Sequence, residues 1–126
     1  MNKKGDEIMR IVKVRIKRGV IKGINPKQKV YNYICPLKNV EVGDFVLVDV
    51  FIHNRDTFGV ARIEEIYELS EQEVEENKIF GFCVMKMPDG FNEHCNKIRN
   101  IKRKLLSKQD GSYHVKKNKK NAAELK

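Results

Sequence analysis

The chain has 126 residues, of which 34% are charged and 40% hydrophobic, and a formal net charge of +9 at pH 7. This length leaves room for one domain with a modest core, so we expect a single compact unit. No apolar run approaches the roughly 20 residues that a membrane span needs, so we expect a soluble, cytoplasmic protein. The three cysteines, Cys35, Cys83 and Cys95, are odd in number and widely spaced. They indicate a reducing compartment and no disulfide framework.

The excess positive charge lies in the last quarter of the chain. Asn96–Lys126 contains 11 Lys and Arg against 2 acids, a surplus of 9 that equals the net charge of the whole chain. Met1–Val30 is also basic, whereas Tyr31–Cys95 carries 5 bases and 13 acids. Segregated charge of this kind is typical of a surface that binds a polyanion. The alternative is that the basic segment neutralises the acidic stretch Glu64–Glu76 of the same molecule.

The first predicted strand is Arg10–Arg18, in which apolar and basic residues alternate. Side chains of a strand point to opposite faces in turn, so one face is apolar and the other cationic. The apolar face holds Val12, Val14 and Ile16. The cationic face holds Lys13, Arg15 and Lys17.

Four further strands follow, separated by turn residues such as Gly43 and Asn25-Pro26. Their predicted ranges are Lys29–Cys35, Phe45–Ile52, Thr57–Tyr67 and Lys78–Met87. The fourth strand is expected to be long and curved, with a bend or bulge at Gly59. The residues predicted to form the core of the third and fourth strands are Val46, Val48, Val60 and Ile63.

Two helices are predicted. Ser70 and Glu73 have the spacing of a capping box, which indicates a short helical turn within Leu69–Glu76. From Phe91 the apolar period becomes three to four residues, as an amphipathic helix requires. We expect this helix to pack on the strands through its apolar stripe of Phe91, Cys95, Ile98 and Leu105.

These elements predict a mainly β (α+β) fold with one small domain. Five short strands closed by one helix are typical of a small SH3-like or OB-like open barrel, and the sequence does not separate the two types. The predicted organisation is a β-barrel domain over residues 1–90, a basic amphipathic helix over 91–109 packed on the barrel, and a disordered basic tail over 110–126.

The core segments resemble those of a group of small phage-encoded β-domain proteins of uncharacterised function. The similarity lies in Tyr31-x-Tyr33, in Val42-Gly43-Asp44-x-Val46-x-Val48 and in Phe58-Gly59-Val60-Ala61-x-Ile63. The same core is more distantly similar to the N-terminal domain of the primosomal helicase, which in that family binds the 3′ end of a DNA strand. The resemblance implies a β-fold and a phage setting in the host cytoplasm. No catalytic residue can be carried over from the phage group.

The residues for catalysis or metal binding are sparse. His53, His94 and His114 fall in a loop, at a helix start and in the tail, so they are not expected to converge. A zinc site formed by His94 and the cysteines lacks the regular ligand spacings. The chain also has no glycine-rich phosphate-binding motif. We therefore expect no enzymatic activity, no metal and no cofactor.

The sequence favours nucleic-acid binding, because basic residues recur along the helix and the tail. The predicted binding residues of the helix are Lys97, Arg99, Lys102, Arg103, Lys104 and Lys108. Those of the tail are Lys116, Lys117, Lys119 and Lys120, and Lys13, Arg15 and Lys17 of the first strand add a second stripe. Four aromatic residues are candidates for stacking on unpaired bases: Tyr31, Tyr33, Phe58 and Phe80. Tyr31 and Tyr33 share one strand face, and we expect that face to be the core.

The predicted function is therefore that of a non-enzymatic, phage-type accessory protein that binds nucleic acid weakly and without sequence specificity. The alternative is a protein-interaction module that inhibits or modulates a host or defence enzyme. The sequence indicates neither a membrane nor a small-molecule substrate as a partner, and it leaves the oligomeric state open.

Overall fold

The structure, a computed structural model, describes residues 7–52 and 54–110. It contains the five predicted strands and the two predicted helices, so the prediction of a mainly β domain with a C-terminal helix is confirmed. The strands are β1 (Ile8–Lys17), β2 (Tyr31–Ile34), β3 (Phe45–Ile52), β4 (Arg55–Ser70) and β5 (Cys83–Lys86). The helices are α1 (Glu71–Glu76) and α2 (Phe91–Asp110). The chain divides into two compact units after Phe91.

The strands form one open antiparallel sheet in the order β2-β1-β4-β3-β5. Strand β1 is therefore internal, and β2 and β5 are the outer strands. A parallel bridge joins Ile34 at the end of β2 to Phe82 just before β5, and the amide of Ile34 donates to the carbonyl of Gly81 at 2.8 Å. The sheet thus curls until its two edges meet at one point.

Strand β1 follows the predicted alternation on its apolar face. Val12 and Val14 are fully buried, and Ile16 is half-buried against the same cluster. The opposite face is less uniform than predicted, since Ile11 is also fully buried there. Lys17 on that face is only 9% exposed, and its Nζ donates to the carbonyl of Lys22 at 3.0 Å.

The main core lies on the concave side of the curled sheet. Three of the four predicted residues, Val46, Val48 and Ile63, are fully buried, whereas Val60 is only half-buried. The prediction for Val60 was wrong because strand β4 runs in unbroken register past Gly59, which places Ala61 opposite Val46. Ala61, not Val60, thus shares the inner face with Ile63.

The irregularity predicted at Gly59 lies instead at Glu64. Lys13 pairs with Glu65 and Val14 pairs with Ile63, so Glu64 is an additional residue in β4 at this point. An additional residue is a β-bulge, which increases local twist and bends the strand. The bulge at Glu64 therefore provides the bend that was predicted for the fourth strand, but it lies five residues after the predicted position at Gly59.

Helix α1 covers a second apolar cluster on the outer face of the sheet. This cluster consists of Ile11, Ile34, Val74 and Ile79. The predicted capping box is present, since the amide of Glu73 donates to Ser70 Oγ at 3.1 Å and the amide of Ser70 donates to Glu73 Oε1 at 2.8 Å. The cap satisfies two amides that the first turn of a helix otherwise leaves unpaired.

Helix α1 ends in a Schellman motif. The amide of Ile79 donates to the carbonyl of Val74 at 3.1 Å, and the amide of Lys78 donates to the carbonyl of Glu75 at 3.1 Å. Val74 and Ile79 belong to the same apolar cluster, as the hydrophobic contact of this motif requires. Lys78 occupies the left-handed position with a φ of 57°, where glycine is usual.

Helix α2 begins at Phe91, whose ring packs against Phe45 with centroids 5.4 Å apart. Leu105, a member of the predicted apolar stripe, is exposed, as is Ile101. The packing of the helix on the barrel stays a prediction. The predicted tail beyond Asp110 lies outside the described residues. Across the part of the chain that the structure describes, no helix is both long and apolar enough to cross a membrane.

Candidate nucleic-acid interface

The cationic face of strand β1 contacts acidic residues of strand β4. Lys13 Nζ lies 3.6 Å from Glu65 Oε1 and 5.7 Å from the centroid of the Tyr67 ring. Burial raises the pKa of the Tyr67 hydroxyl, Lys13 lowers it and Glu65 raises it further, with a net rise. The hydroxyl stays protonated at neutral pH and donates to Asn32 Oδ1 at 2.7 Å. Lys13 thus belongs to a contact network on the sheet surface.

Arg15 is held still more firmly. Its Nη1 lies 3.0 Å from Glu64 Oε1, its Nε donates to the carbonyl of Gln28 at 3.2 Å, and its Nη2 donates to the carbonyl of Pro26 at 2.9 Å. Arg62 Nε donates to the other oxygen of Glu64 at 2.7 Å. Together with the nearly buried Lys17, these contacts show that the stripe predicted to bind phosphates is largely engaged within the protein.

The same contacts bear on the acidic stretch Glu64–Glu76. Its two residues in the bulge region, Glu64 and Glu65, are neutralised by cations of strands β1 and β4. Part of the intramolecular neutralisation considered from sequence therefore exists, with the basic N-terminal strand as its partner.

Helix α2 carries the other predicted cations. Its exposed members are Lys97, Lys102, Arg103 and Lys104. Arg99 is half-buried, and its Nη2 donates to Asn96 Oδ1 at 2.5 Å. None of the four exposed cations forms an ion pair with a described side chain of this helix. The side chain of Lys108 lies outside the described residues, as do Lys116, Lys117, Lys119 and Lys120.

The first unit contains a cleft of about 700 Å³. It lies between the β1–β2 connection, strand β2, the end of strand β3 and the segment that follows helix α1. Its aromatic lining consists of Tyr31, Tyr33, Phe51 and Phe80, and its basic lining consists of Arg18, Lys29 and Lys78. We call this site the aromatic cleft. Phe51 and Phe80 are each 69% exposed, so two rings are open to a ligand.

The inner wall of the aromatic cleft is formed by Tyr33. Its ring lies directly on Gly81, where an added Cβ would be 2.6 Å from Tyr33 Cε2. Burial, and after it the carboxylate of Asp49, raises the pKa of the Tyr33 hydroxyl. Tyr33 is buried and Tyr31 packs against the same core, so the prediction that this face points inward is confirmed.

Positive charge predominates in the aromatic cleft. Asp49 is its one lining carboxylate, and Asp49 Oδ1 accepts a hydrogen bond from the amide of Phe82 at 2.5 Å. Within residues 7–52 and 54–110, the three cleft cations form no ion pair. Lys29 Nζ lies 5.4 Å from the centroid of the Tyr31 ring.

The cleft cations and Phe51 carry no signal of a binding site in the sequence. Phe51 was assigned to an apolar strand. Side chains of a strand alternate between its two faces, and Val46 and Val48 point into the core, so Phe51 belongs to the outward face. Arg18 and Lys29 lie in the β1–β2 connection and Lys78 follows helix α1, so only the fold brings the three cations together. Of the aromatic candidates chosen from sequence, Phe58 is exposed on strand β4 and is not part of the cleft lining.

Cys35 and Cys83 are buried as free thiols at the seam where the sheet edges meet. Burial raises the pKa of the Cys83 thiol far above its ordinary value of 9.0, and the charge and hydrogen bond of Cys35 add to the rise. The Cys83 thiol is therefore protonated and unreactive at neutral pH. Among the described residues, no group of three or more His, Cys, Asp or Glu side chains is arranged to hold a metal ion.

Comparisons with protein-family models, with curated protein sequences and with solved structures find no match to this chain.

Proposed function

We propose that this protein binds nucleic acid without sequence specificity and without catalysing a reaction on it. The observation that carries the proposal is the row of exposed cations on helix α2, Lys97, Lys102, Arg103 and Lys104, which form no ion pair with the described side chains of the helix. Phosphate contacts of exposed Lys and Arg supply most of non-specific binding to nucleic acid. The three cations of the aromatic cleft, which form no ion pair with the described residues, support the same conclusion.

The contrast with strand β1 strengthens this assignment. Lys13 and Arg15 already contact carboxylates of strand β4 at 3.6 Å and 3.0 Å, so a phosphate would have to displace these pairs. The exposed cations of helix α2 require no such exchange with the described side chains of the helix. We therefore assign the main phosphate contacts to helix α2 and reduce the role of strand β1. The resemblance to the phage group suggests a setting in phage or host replication, recombination or defence.

The test is a charge reversal with a matched control. Lys102, Arg103 and Lys104 are replaced together by Glu, and the control replaces Lys22, Lys27 and Lys38, three exposed lysines of the first unit, in the same way. The net charge changes equally in both proteins. Fluorescence anisotropy with a labelled DNA at about 50 mM salt, where phosphate contacts count most, should show a large loss for the helix variant and a small one for the control.

Salt dependence provides a second readout. With about four phosphate contacts, the affinity of the unmodified protein should fall roughly 50-fold for single-stranded DNA and roughly 150-fold for duplex DNA between 50 and 200 mM salt. Equal losses for the two charge-reversal variants would contradict the assignment to helix α2. The absence of measurable binding by the unmodified protein at low salt would contradict the proposed function itself.

The alternative function, a protein-interaction module, is favoured by exposed apolar side chains on strands β4 and β5, the two strands that pair with β3. Phe58 of β4 and Val84 and Met85 of β5 are all more than two-fifths exposed. An apolar protein interface keeps its affinity when salt is added, in contrast to phosphate binding. A binding partner retained at high salt would therefore support this alternative.

We also propose that the curled sheet is a small open barrel of the SH3-like or OB-like type. The bridge between Ile34 and Phe82 supports this assignment, because it brings strand β2 to the approach of strand β5.

A further inference from the structure

The aromatic cleft has two open rings beside a buried one. Phe51 and Phe80 are each 69% exposed, whereas Tyr33 behind them is 9% exposed and fixed against Gly81. Burying an exposed phenyl ring is favourable, and a flat π-face accepts any nucleobase by stacking. Bases within a duplex are already stacked on their neighbours, so only an unpaired base can use such rings.

The charge of the cleft complements a nucleic-acid backbone. Arg18, Lys29 and Lys78 lie on its lining, come from two different connections and form no ion pair in the part of the chain that the structure describes. The cleft contains one carboxylate, Asp49, which is already hydrogen-bonded to the amide of Phe82. Grooves that bind single strands combine basic residues along the backbone path with aromatic platforms for the bases.

The backbone at Lys78 adds an independent observation. Lys78 has a φ of 57° at the position of the Schellman motif where glycine is the favoured residue. A side chain in this conformation costs conformational energy, and such positions are often retained where the side chain has a function. Here the exposed Lys78 side chain lies on the lining of the cleft.

We propose that the aromatic cleft binds unpaired bases of a single-stranded nucleic acid, with stacking on Phe51 and Phe80 and phosphate contacts from Arg18, Lys29 and Lys78. This inference rests on the proposed function and specifies it, because it adds a preference for single strands over duplexes. The chemistry is shared by DNA and RNA, so both are included in the test.

The first experiment removes one ring at a time. Phe51→Ala and Phe80→Ala are compared with Phe58→Ala, which deletes a ring of similar exposure, 64%, outside the cleft lining. The probes are labelled oligo(dT) and oligo(U) of about 15 nucleotides, the upper range of site sizes for small single-strand-binding domains, and a duplex of the same length. Anisotropy titrations give the affinity of each protein for each probe.

Each cleft variant should lose roughly tenfold in affinity for the single-stranded probes, because one stacked base is lost. Phe58→Ala should retain single-strand affinity, and all three variants should retain duplex affinity. Equal single-strand affinities of the cleft and control variants would overturn the proposal. A larger effect on oligo(dT) or on oligo(U) identifies the preferred nucleic acid and supports the cleft in either case.

The second experiment separates binding from folding. Lys78→Gly should keep or raise the melting temperature, because glycine adopts a φ of 57° without strain. The same variant should weaken single-strand binding several-fold and reduce the salt slope by about 0.7, as expected for one lost phosphate contact. Lys29→Gln should also weaken binding, because it removes another cation of the cleft. The control is Lys27→Gln, which removes an equal charge two residues away, outside the cleft, and should leave the affinity unchanged. Lys78→Gly with unchanged affinity would contradict the proposed phosphate contact.

The two proposals fail in distinguishable ways. If the unmodified protein binds no nucleic acid, the proposed function is wrong and the cleft has no such ligand. If charge reversal on helix α2 abolishes binding while the cleft variants bind normally, the proposed function stands and the cleft proposal is wrong.

Discussion

Arg15 and Glu64 form an ion pair across strands β1 and β4, with Arg15 Nη1 3.0 Å from Glu64 Oε1 and both side chains 22% exposed. The Glu64 carboxylate also accepts a hydrogen bond from Arg62, so it contacts two guanidinium groups at the β-bulge. Glu64→Gln removes this charge and should lower the free energy of unfolding by on the order of 1–3 kcal/mol, because two partly buried cations lose their partner. Urea denaturation measures the change. Glu68→Gln, at an exposed position of the same strand, is the control, and equal losses in the two variants would show that the pair contributes nothing specific.

Val46 and Val60 test the assignment of the core face. Val46 is fully buried, whereas Val60 is half-buried on the other face of the sheet. Val46→Ala should cost about 2–3 kcal/mol of unfolding free energy, because it removes buried methyl groups and leaves a cavity. Val60→Ala removes the same atoms and should cost clearly less. Thermal or urea unfolding of both variants measures the two losses of unfolding free energy. A larger loss for Val60→Ala than for Val46→Ala would place the core on the other face.

Gly81 is required where the Tyr33 ring meets the backbone. A Cβ at Gly81 would lie 2.6 Å from Tyr33 Cε2, and the buried ring has little room to move. Gly81→Ala should therefore destabilise the protein by about 1–3 kcal/mol, the usual cost of overpacking. Gly59→Ala is a graded control, since its Cβ would meet Val50 Cγ2 at 3.1 Å and should be better tolerated. A Gly81→Ala protein as stable as the unmodified one would contradict the close packing of Tyr33.

Stability should fall at alkaline pH because of the buried thiol and phenol. The pKa of Cys83 is raised in the folded state from its ordinary value of 9.0, and that of Tyr33 is raised from 10.0. Above these ordinary values the unfolded chain loses protons that the folded chain retains, so the unfolding free energy decreases with pH. The stabilisation is fully present below about pH 9. Above the ordinary pKa of each group, ionisation of that group in the unfolded chain lowers the unfolding free energy by up to about 1.4 kcal/mol per pH unit.

Urea unfolding at several pH values from 7 to 10.5 measures this slope. Cys83→Ala lowers stability at every pH but should flatten the decline just above pH 9, because one of the titrating groups is removed. A stability that stays constant up to pH 10.5 would show that these groups ionise as readily in the folded protein as in the unfolded one.

Local patterns in the sequence predicted the elements well. The Ser70–Glu73 spacing located the start of helix α1, and the alternation around Val12 and Val14 identified the inner face of strand β1. These features depend on residues close together in the chain, where geometry follows from period and capping. The change of period at Phe91 located the start of helix α2 for the same reason.

Features that depend on distant residues were not predictable. The bulge was placed at Gly59 because glycine often marks one, but the register of β1 against β4 puts it at Glu64. The partners of Lys13 and Arg15 lie about 50 positions away, so the sequence showed a free basic stripe where the fold forms ion pairs. The aromatic cleft was not predictable for the same reason, since Arg18, Phe51 and Lys78 come together only in the folded chain.

The internal position of strand β1, between β2 and the central strand β4, has a consequence for the order of folding. Strands β3 and β4 form a hairpin through a short turn that includes Asn54 at a φ of 61°, so they can pair as soon as both exist. Strand β1 pairs with β4 over its whole length, from Ile8 with Ser70 to Lys17 with Val60. Pairing these two strands closes the long loop of chain between them. Closing long loops makes folding slow compared with helical proteins of similar size. During synthesis, strand β1 leaves the ribosome before β4 and must therefore remain without its long partner until the residues from Val60 onward have emerged.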